Sequence, residues 1–519
     1  MAAALLATYP VLLVTDARFV DGLYFENFLE AGRFDIVEGL FASTSMHIWA
    51  WMMRPLSGVA GGGYFFRAAE FLSILTLSAS ILFTTGRMGG LALSERLGLA
   101  VLAGVYPVYS SAMMSSTVIY YLPTALFFAA WAIYFSNAMT DKSRPWTEAL
   151  LLAVLFISFI HNSLLVFQYA LLLTLFLVKS GGLDRIWNLR LAGQFALRHA
   201  HMILLPPIFF ATRLLLLPPS GIYAHHNTLL FDPARNLKSM AVLGFNAIAR
   251  NLAEAGTWAL PVLIAIGLAV YVLRPRLQDA YWRKTMFLAV LGGILTLAAL
   301  FPYGAVGKGG VPLKSFGMRY AAQMGLGLGL MLLAWVRSLP GVGEKGRTIV
   351  LVLLILLVGR VSFGDQLLWQ GRWAKDMATI RVLSRLPLPP PGTVLLWDDG
   401  WKIGGEAYRS FELSWLMREA WGHESWIGMY KGDRTIAEFA QRREDRAELR
   451  DQYLLSEFVA NGCSATLRLT STIPETSHQY LGWQYLTKRF FEPREEMDAW
   501  LERLLTIEIG PQECGTVPI

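Results

Sequence analysis

Long apolar runs separated by short polar loops make up the first two thirds of this chain. They lack the strict alternation of apolar and polar residues that marks a membrane β-strand. A run of about 20 apolar residues is long enough to cross a bilayer as a helix. The runs predict spans at residues 1–15, 64–85, 96–112, 117–137, 147–160, 163–178, 200–217, 257–273, 285–302, 319–336 and 348–363.

The stretch 147–178 decides the topology. It is too long for one ordinary span and barely long enough for two, and His161-Asn162 lies in its middle. When it is treated as two short spans, the basic loops all fall on one side, which the positive-inside rule makes cytoplasmic. The sequence therefore predicts a polytopic α-helical membrane protein of about eleven spans, with its N-terminus inside and its C-terminus outside.

The region from residue 364 to 519 is more polar and predicts a separate domain. A run of prolines at 387–391 marks a linker. Alternation and turn residues predict strands at 393–397 and 465–470, and helical periodicity predicts helices at 405–421 and 433–458. We thus expect a transmembrane domain over 1–363 and a soluble extracytoplasmic α/β domain over 364–519.

Composition agrees with a membrane protein. Hydrophobic residues make up 55% of the chain and charged residues 16%, against about 25% charged in typical soluble domains. The net charge of +7 comes mainly from Lys and Arg between the spans, where they set orientation. We therefore expect membrane lipid and no nucleic acid as a partner.

The two cysteines, Cys463 and Cys514, both lie in the C-terminal region. In an extracytoplasmic domain they are able to form a disulfide. Two separate buried thiols are the alternative, because the sequence does not show whether the two Cα atoms approach.

An acidic segment follows the first apolar run. It contains Asp16 and Asp21 and leads into an amphipathic helix with Glu26 and Glu30 on its polar face. This pattern suits a helix lying on the bilayer surface. A carboxylate here can serve as a general base or help to hold a divalent metal such as Mg²⁺ or Mn²⁺. The alternative is a solvated loop in which Asp21 caps the helix.

A glycine-rich loop at 301–320 carries three cations on the predicted outside face. Lys308, Lys314 and Arg319 run against the positive-inside trend, and Tyr320 follows directly. Glycine lets backbone N–H groups approach an anion, and Lys and Arg neutralise a phosphate. We predict a phosphate site, with snorkelling toward lipid headgroups as the alternative.

Two further constellations lie near the predicted span ends. His225 and His226 are adjacent in an outside loop, where one of them is suited to contact a phosphate; a pair of surface loop residues without a ligand is the alternative. A zinc site lacks a third ligand here. Arg67 and Glu70 are three residues apart on one helix, a spacing that predicts an ion pair between them.

The segment from Asp21 to Phe34 (Asp-Gly-Leu-Tyr-Phe-Glu-Asn-Phe-Leu-Glu-Ala-Gly-Arg-Phe) resembles the first outside loop of the GT-C superfamily of glycosyltransferases. In that family an acidic residue follows span one and precedes a juxtamembrane helix. The plan of about eleven spans followed by an extracytoplasmic domain is also similar. The chain departs from some branches of the family, since Gly22 and not a second acid follows Asp21.

The resemblance implies an enzyme that uses a hexose or pentose carried on polyprenyl phosphate. The excess of Arg over Lys and the lack of any Asn-x-Ser/Thr acceptor fit a bacterial protein, so we expect it in a bacterial plasma membrane. Such enzymes transfer the sugar, usually with inversion, to a cell-envelope glycan, lipid or protein acceptor. The resemblance assigns Asp21 as base toward the acceptor, with Asp16 as the alternative. We also place Glu26 and Glu30, on the polar face of the same helix, on the acceptor side.

Two other functions stay open. A transporter or flippase of a lipid-linked or anionic substrate fits the helix break within 147–178. A polysaccharide polymerase or ligase would also bind a lipid-linked sugar outside, with Arg and His in place of a carboxylate.

Overall fold

The computed structural model describes residues 1–519 except 20, 60, 143, 186, 221–231, 251–279, 307–315, 340–341, 404–407, 424, 432–457, 460, 474–476 and 516–519. Most of the described chain is helical, and a small sheet lies near the C-terminus. The first thirteen helices are α1 Ala2–Thr8, α2 Pro10–Val14, α3 Asp21–Glu30, α4 Phe34–Ser43, α5 His47–Met53, α6 Gly62–Met88, α7 Leu93–Val105, α8 Val118–Thr140, α9 Pro145–Ser158, α10 Ser163–Ser180, α11 Leu189–Arg198, α12 Ala200–Leu216 and α13 Pro233–Phe245. The later helices are α14 Ala280–Ala305, α15 Met324–Ser338, α16 Glu344–Leu383, α17 Ser410–Trp421, α18 His478–Phe491 and α19 Arg494–Glu502.

Several of these helices are suited to a membrane. Five described helices are long and apolar enough to cross one, namely α6, α8, α10, α14 and α16. A sixth is obtained if α11 and α12, which meet at 64°, form one bent span. The helices α9 and α15 are apolar but shorter. This architecture is compatible with the predicted helical membrane protein, and the predicted span 257–273 lies outside the described residues.

The stretch 147–178 contains a break in the predicted place. The helix α9 ends at Ser158 and α10 begins at Ser163, with His161 and Asn162 in the turn between them. Only α10 reaches the length of a span. The first predicted span likewise divides into α1 and α2, because Pro10 starts a new helix where the preceding backbone bends at Tyr9.

The helix α16 connects the apolar part of the chain to the C-terminal domain. Its 40 residues extend about 60 Å, roughly twice the thickness of a bilayer core. The predicted boundary between residues 363 and 364 falls inside it. Almost every residue from Asp365 to Thr379 is buried. The C-terminal domain covers part of this half of α16, and the N-terminal segment covers another part, where Phe19 packs on Trp369 at 5.1 Å between ring centroids.

That domain contains a four-stranded sheet. The strands are β1 Val394–Asp399, β2 Ile427–Tyr430, β3 Cys463–Ser471 and β4 Leu505–Cys514. Their order is β2-β1-β3-β4; β1 is parallel to both of its neighbours, and β4 is antiparallel to β3. The two strands predicted from the sequence are confirmed as β1 and β3. Of the helix predicted at 405–421, the part from Ser410 onward is present as α17, whereas residues 408 and 409 are not helical. The helix predicted at 433–458 lies outside the described residues.

Buried ion pairs attach α16 to this domain. The Lys375 ammonium donates to Asp399 Oδ2 at 2.7 Å and to the carbonyl of Trp401 at 2.6 Å. Arg372 Nη2 lies 2.9 Å from Glu412 Oε1. All four groups of these two ion pairs are buried. Each has its partner close by, as a charge taken from water requires. These contacts fix α16 to β1 and α17.

The structure joins Cys463 and Cys514 by a disulfide. The two residues face each other in the register of β3 and β4, with their Cα atoms 4.0 Å apart. The bridge closes a loop with a sequence separation of 51.

Replacing Cys463 by serine is expected to destabilise the C-terminal domain by about 2–4 kcal/mol, because the unfolded chain regains the freedom that the closed loop removes. The measurement is the unfolding temperature of the domain, with and without a reductant, for wild type and C463S. On reduction, the unfolding temperature of wild type should fall to that of C463S, and the unfolding temperature of C463S should not change. A reductant effect of equal size on C463S would contradict this assignment.

Candidate functional site

The predicted amphipathic helix exists as α3, but protein encloses it on both faces. Phe25, Phe28 and Leu29 are buried as the apolar face. Glu26, on the polar face, is also buried, with 1% of its surface exposed. Phe28 packs edge-on against Trp415 of the C-terminal domain at 5.9 Å between ring centroids. The helix α3 is therefore packed within the protein and does not lie free on the bilayer surface, as the sequence pattern had suggested.

Arginines from two directions hold the acidic face of α3. Arg18 Nε lies 3.5 Å from Glu26 Oε2, and Arg18 Nη2 lies 2.7 Å from Glu30 Oε2. Arg67 of α6 reaches the same Glu26 oxygen at 3.7 Å and donates to the carbonyl of Ala17. Burial raises the pKa of the Glu26 carboxyl, and the guanidinium groups of Arg67 and Arg18 oppose that rise.

Gly63 makes this approach of Glu26 possible. A Cβ at residue 63 would overlap Glu26 Oε2 and lie 2.8 Å from Arg67 Nη1. Only glycine leaves room for the carboxylate against the first turn of α6. Gly63 thus has a role in the site that the sequence pattern did not suggest.

Glu70, about one turn after Arg67 on α6, is a second buried carboxylate. The Thr117 hydroxyl donates to Glu70 Oε1 at 2.6 Å, and Glu70 Oε2 has no hydrogen-bond partner among the described residues. The predicted ion pair between Arg67 and Glu70 is wrong, because Arg67 turns toward Glu26 and Ala17. We call Arg18, Glu26, Arg67, Glu70 and Thr117 the buried ion-pair layer.

A polar cluster lies beneath this layer, around the break between α9 and α10. His161 Nε2 is 2.8 Å from the Tyr303 hydroxyl and 2.9 Å from Ser163 Oγ, and its Nδ1 is 3.2 Å from Thr124 Oγ1. Gln323 donates to Ser163 Oγ at 2.5 Å. Polar groups at such depth in an apolar bundle tend to mark function. The sequence signal was His161-Asn162 within an apolar stretch, which we had interpreted only as a helix break.

Arg319, one of the three predicted phosphate-binding cations, borders the His161 cluster. Its guanidinium lies 5.1 Å from the centroid of the Tyr120 ring, and that ring packs edge-on against His161 at 5.2 Å. Tyr120 belongs to the first turn of α8. That helix begins directly after Thr117 of the ion-pair layer. The two polar regions are therefore adjacent along α8.

Asp16 lies at the contact between the N-terminal segment and the C-terminal domain. Arg489 Nε is 3.2 Å from Asp16 Oδ2, and the Tyr485 hydroxyl donates to the same oxygen at 3.0 Å. Arg489 also donates to the carbonyl of Val14 at 2.8 Å. Asp16 thus joins the N-terminal segment to α18 in the structure.

The remaining predicted site residues are described in part or not at all. Asp21 is the first residue of α3 and Tyr320 lies in the 3₁₀ turn Phe316–Ala321; the structure describes their backbone but not their side chains. The others lie outside the described residues, namely Lys308, Lys314, His225 and His226.

An apolar groove opens beside the ion-pair layer. Its volume is about 290 Å³, and we call it the outer groove because the sequence predicts this end of α6 and α8 to lie outside. Arg67 and Glu70 directly follow the groove residues Phe66 and Ala69 in the sequence of α6, but their buried side chains do not line the groove. The lining residues are Trp49, Met52, Met53, Leu56, Phe65, Phe66, Ala69, Leu72, Ser73, Thr76, Val118, Leu122, Ala125 and Leu126.

The described residues include no group of three or more His, Cys, Asp or Glu side chains arranged to hold a metal ion. The two buried carboxylates of the ion-pair layer are bound by other side chains: Glu26 by Arg18 and Arg67, and Glu70 by Thr117. No step below depends on a metal.

Comparisons with protein-family models, with curated proteins and with solved structures found no match to this chain. The resemblance to GT-C glycosyltransferases therefore rests on the short motif at Asp21 and on the plan of the chain.

Proposed function

We propose that this protein is a membrane glycosyltransferase that moves a hexose or pentose from polyprenyl phosphate to a cell-envelope glycan, lipid or protein. In this proposal the chain crosses the inner membrane of a bacterium eleven times. The N-terminus lies in the cytoplasm, and both the ion-pair layer and the C-terminal domain lie on the extracytoplasmic side.

The observation that carries the proposal is the position of the outer groove beside buried charged groups. A polyprenyl-phosphate sugar has an apolar tail and an anionic, hydroxyl-rich head. The groove offers apolar side chains at the ends of α6 and α8, and Arg67 and Glu70 lie on the same stretch of α6. Ligand sites commonly combine an apolar cleft with a few placed polar groups.

The proposed reaction needs a base and a stabilised leaving group. The acceptor oxygen attacks the anomeric carbon, a carboxylate takes the acceptor proton, and the bond from that carbon to the phosphate oxygen breaks with inversion. Asp21, at the start of α3, is the proposed base. Arg319, with Lys308 and Lys314 of the same loop, is proposed to balance the charge that develops on polyprenyl phosphate.

One observation favours a second function, a transporter of a lipid-linked substrate. The break between α9 and α10 places His161 and Gln323 deep in the bundle, and interrupted helices with interior polar groups are common in transporters. A transporter moves the lipid intact, whereas a transferase cleaves the bond between sugar and phosphate. The two functions therefore differ in their products.

Replacing Asp21 by asparagine is expected to lower turnover of the active polyprenyl-phosphate sugar by about 10²–10⁴-fold, because the amide accepts no proton. The measurement is release of labelled sugar by purified D21N. Asp35→Asn is the matched control; that carboxylate is exposed and pairs with Arg33 at 3.1 Å, so turnover should be unchanged.

Asp16→Asn separates the two candidates for the base. It should weaken the contact with Arg489 and lower the unfolding temperature, while the folded protein keeps its turnover. The assignment of the base to Asp21 is wrong if D16N loses turnover without a change in unfolding temperature, while D21N keeps the turnover and the unfolding temperature of wild type. If wild type releases no sugar from any lipid-linked donor, the transferase proposal is wrong.

A further inference from the structure

The helix α11 has no buried residue. Its Leu189 and Leu197 are 84% and 82% exposed, and Trp187, just before it, is 86% exposed. Large apolar side chains exposed to this degree mark a surface that contacts another apolar phase. The same helix carries Arg190 and Arg198, so it is amphipathic rather than uniformly apolar.

Local contacts hold α11 across the end of the bundle. It meets α12 at 64° instead of continuing it, and the Asn188 side chain caps its first turn by accepting from the N–H of Leu191 at 3.1 Å. Phe195 packs against Phe176 of α10 at 5.3 Å between ring centroids. Arg198 Nη2 lies 2.6 Å from Asp141. The helix is thus fixed with Leu189 and Leu197 on its free side.

The end of the bundle that carries α11 is rich in cations. Arg198 and Lys179 share Asp141 as their partner. Four other cations near this helix form no ion pair within the described part of the chain: Lys142, Arg144, Arg185 and Arg190. Trp146, at the start of α9, is 88% exposed beside them. Exposed tryptophans together with unpaired cations are typical of a protein surface at lipid headgroups.

We propose that α11 lies in the headgroup region of one membrane leaflet and binds anionic phospholipid there. Trp187, Leu189 and Leu197 insert among the upper acyl chains, because they have no protein to cover them. Arg190 and the unpaired cations near it attract the phosphates of anionic lipids. The binding surface lies at the opposite end of α8 from the ion-pair layer, and it does not depend on the proposed transferase activity.

Nitroxide labels on introduced cysteines test the position of α11. Both native cysteines form the disulfide, so a new cysteine is a unique thiol. In vesicles of phosphatidylcholine and phosphatidylglycerol, the label at L197C should be accessible to oxygen and shielded from a nickel chelate. A label at Q194C, on the polar side, should meet the chelate. Ile208→Cys, an exposed site in the middle of α12, gives the reference for depth.

The L197C label should lie shallower than the I208C label. Free access of the chelate to L197C would overturn the proposal, because α11 would then lie in water. A depth equal to that of I208C would also overturn it, since α11 would then be part of a bent span.

Lipid selectivity is tested with spin-labelled lipids and the full-length protein. Phosphatidylglycerol should be enriched over phosphatidylcholine at the protein, and Arg190→Gln should reduce that enrichment by up to about fivefold. Arg503→Gln, which removes a cation from the C-terminal domain, is the matched control and should leave the enrichment unchanged. Equal binding of the two lipids by wild type would overturn the anionic preference.

Discussion

Replacing Arg67 by methionine is expected to destabilise the protein by about 3–5 kcal/mol, because Glu26 would keep a buried charge with a weaker partner. Arg67 is 2% exposed; its guanidinium contacts Glu26 and the carbonyl of Ala17, and so joins α6 to both the N-terminal segment and α3. Arg18 alone, which is half-buried, is a poorer partner for the carboxylate. The measurement is the unfolding temperature of R67M in detergent.

Two variants separate the buried charge from a general loss of packing. Glu26→Gln combined with Arg67→Met should be more stable than R67M alone, because the unpaired carboxylate is gone. Arg33→Met removes an exposed ion pair with Asp35 and should change stability by less than about 1 kcal/mol. A double variant that is less stable than R67M would contradict the role given to Glu26. Both variants that lack Arg67 should also lose sugar transfer, since the ion-pair layer borders the outer groove.

Replacing Gly482 by leucine is expected to detach α18 from α16. The two helices cross with their backbones in contact at Gly371 and Gly482. A Cβ at residue 482 would overlap the carbonyl oxygen of Leu367 and lie 2.8 Å from the N–H of Gly371, and backbone atoms do not yield as the end of a flexible side chain does. Overpacking of this kind commonly destabilises a protein by about 1–3 kcal/mol, and more where the backbone has to move.

The displaced α18 would also lose the contacts of Tyr485 and Arg489 with Asp16. The measurement is the rate of proteolysis of the C-terminal domain in G482L, which should rise. Gly293→Leu is the matched control, because Gly293 lies within α14 and a Cβ there meets nothing within 4 Å. If G482L and G293L are cleaved at the same rate, the crossing at Gly482 does not hold the domain.

Local pattern predicted much of the secondary structure. The strands β1 and β3 follow from alternation and turn residues, and the break at His161 follows from two polar residues within an apolar stretch. These signals depend on a few neighbouring residues. The strands β2 and β4 were not predicted, because β2 is short and β4 begins in a mixed polar segment after α19. Their place in the sheet depends on pairing with residues far away in the chain.

The site was harder to predict, because its partners are distant in sequence. Glu26 has the spacing of a polar helix face, yet Arg67 arrives from α6 and buries it. Asp16 was predicted as a candidate base, but Arg489 of α18 binds it in the structure. The same distance explains the disulfide, where Cys463 and Cys514 meet only because β3 and β4 pair. Periodicity identifies the face of a helix, but it does not identify which element covers that face.

The most direct test of the transferase proposal follows one labelled substrate in sealed vesicles. Purified protein is reconstituted with a polyprenyl-phosphate sugar carrying label in both the sugar and the lipid, together with a glycan, lipid or protein acceptor. The transferase predicts that the sugar label leaves the donor, appears on the acceptor and leaves polyprenyl phosphate behind. If both labels instead cross the bilayer together in intact lipid, the protein is a transporter and the central proposal is contradicted.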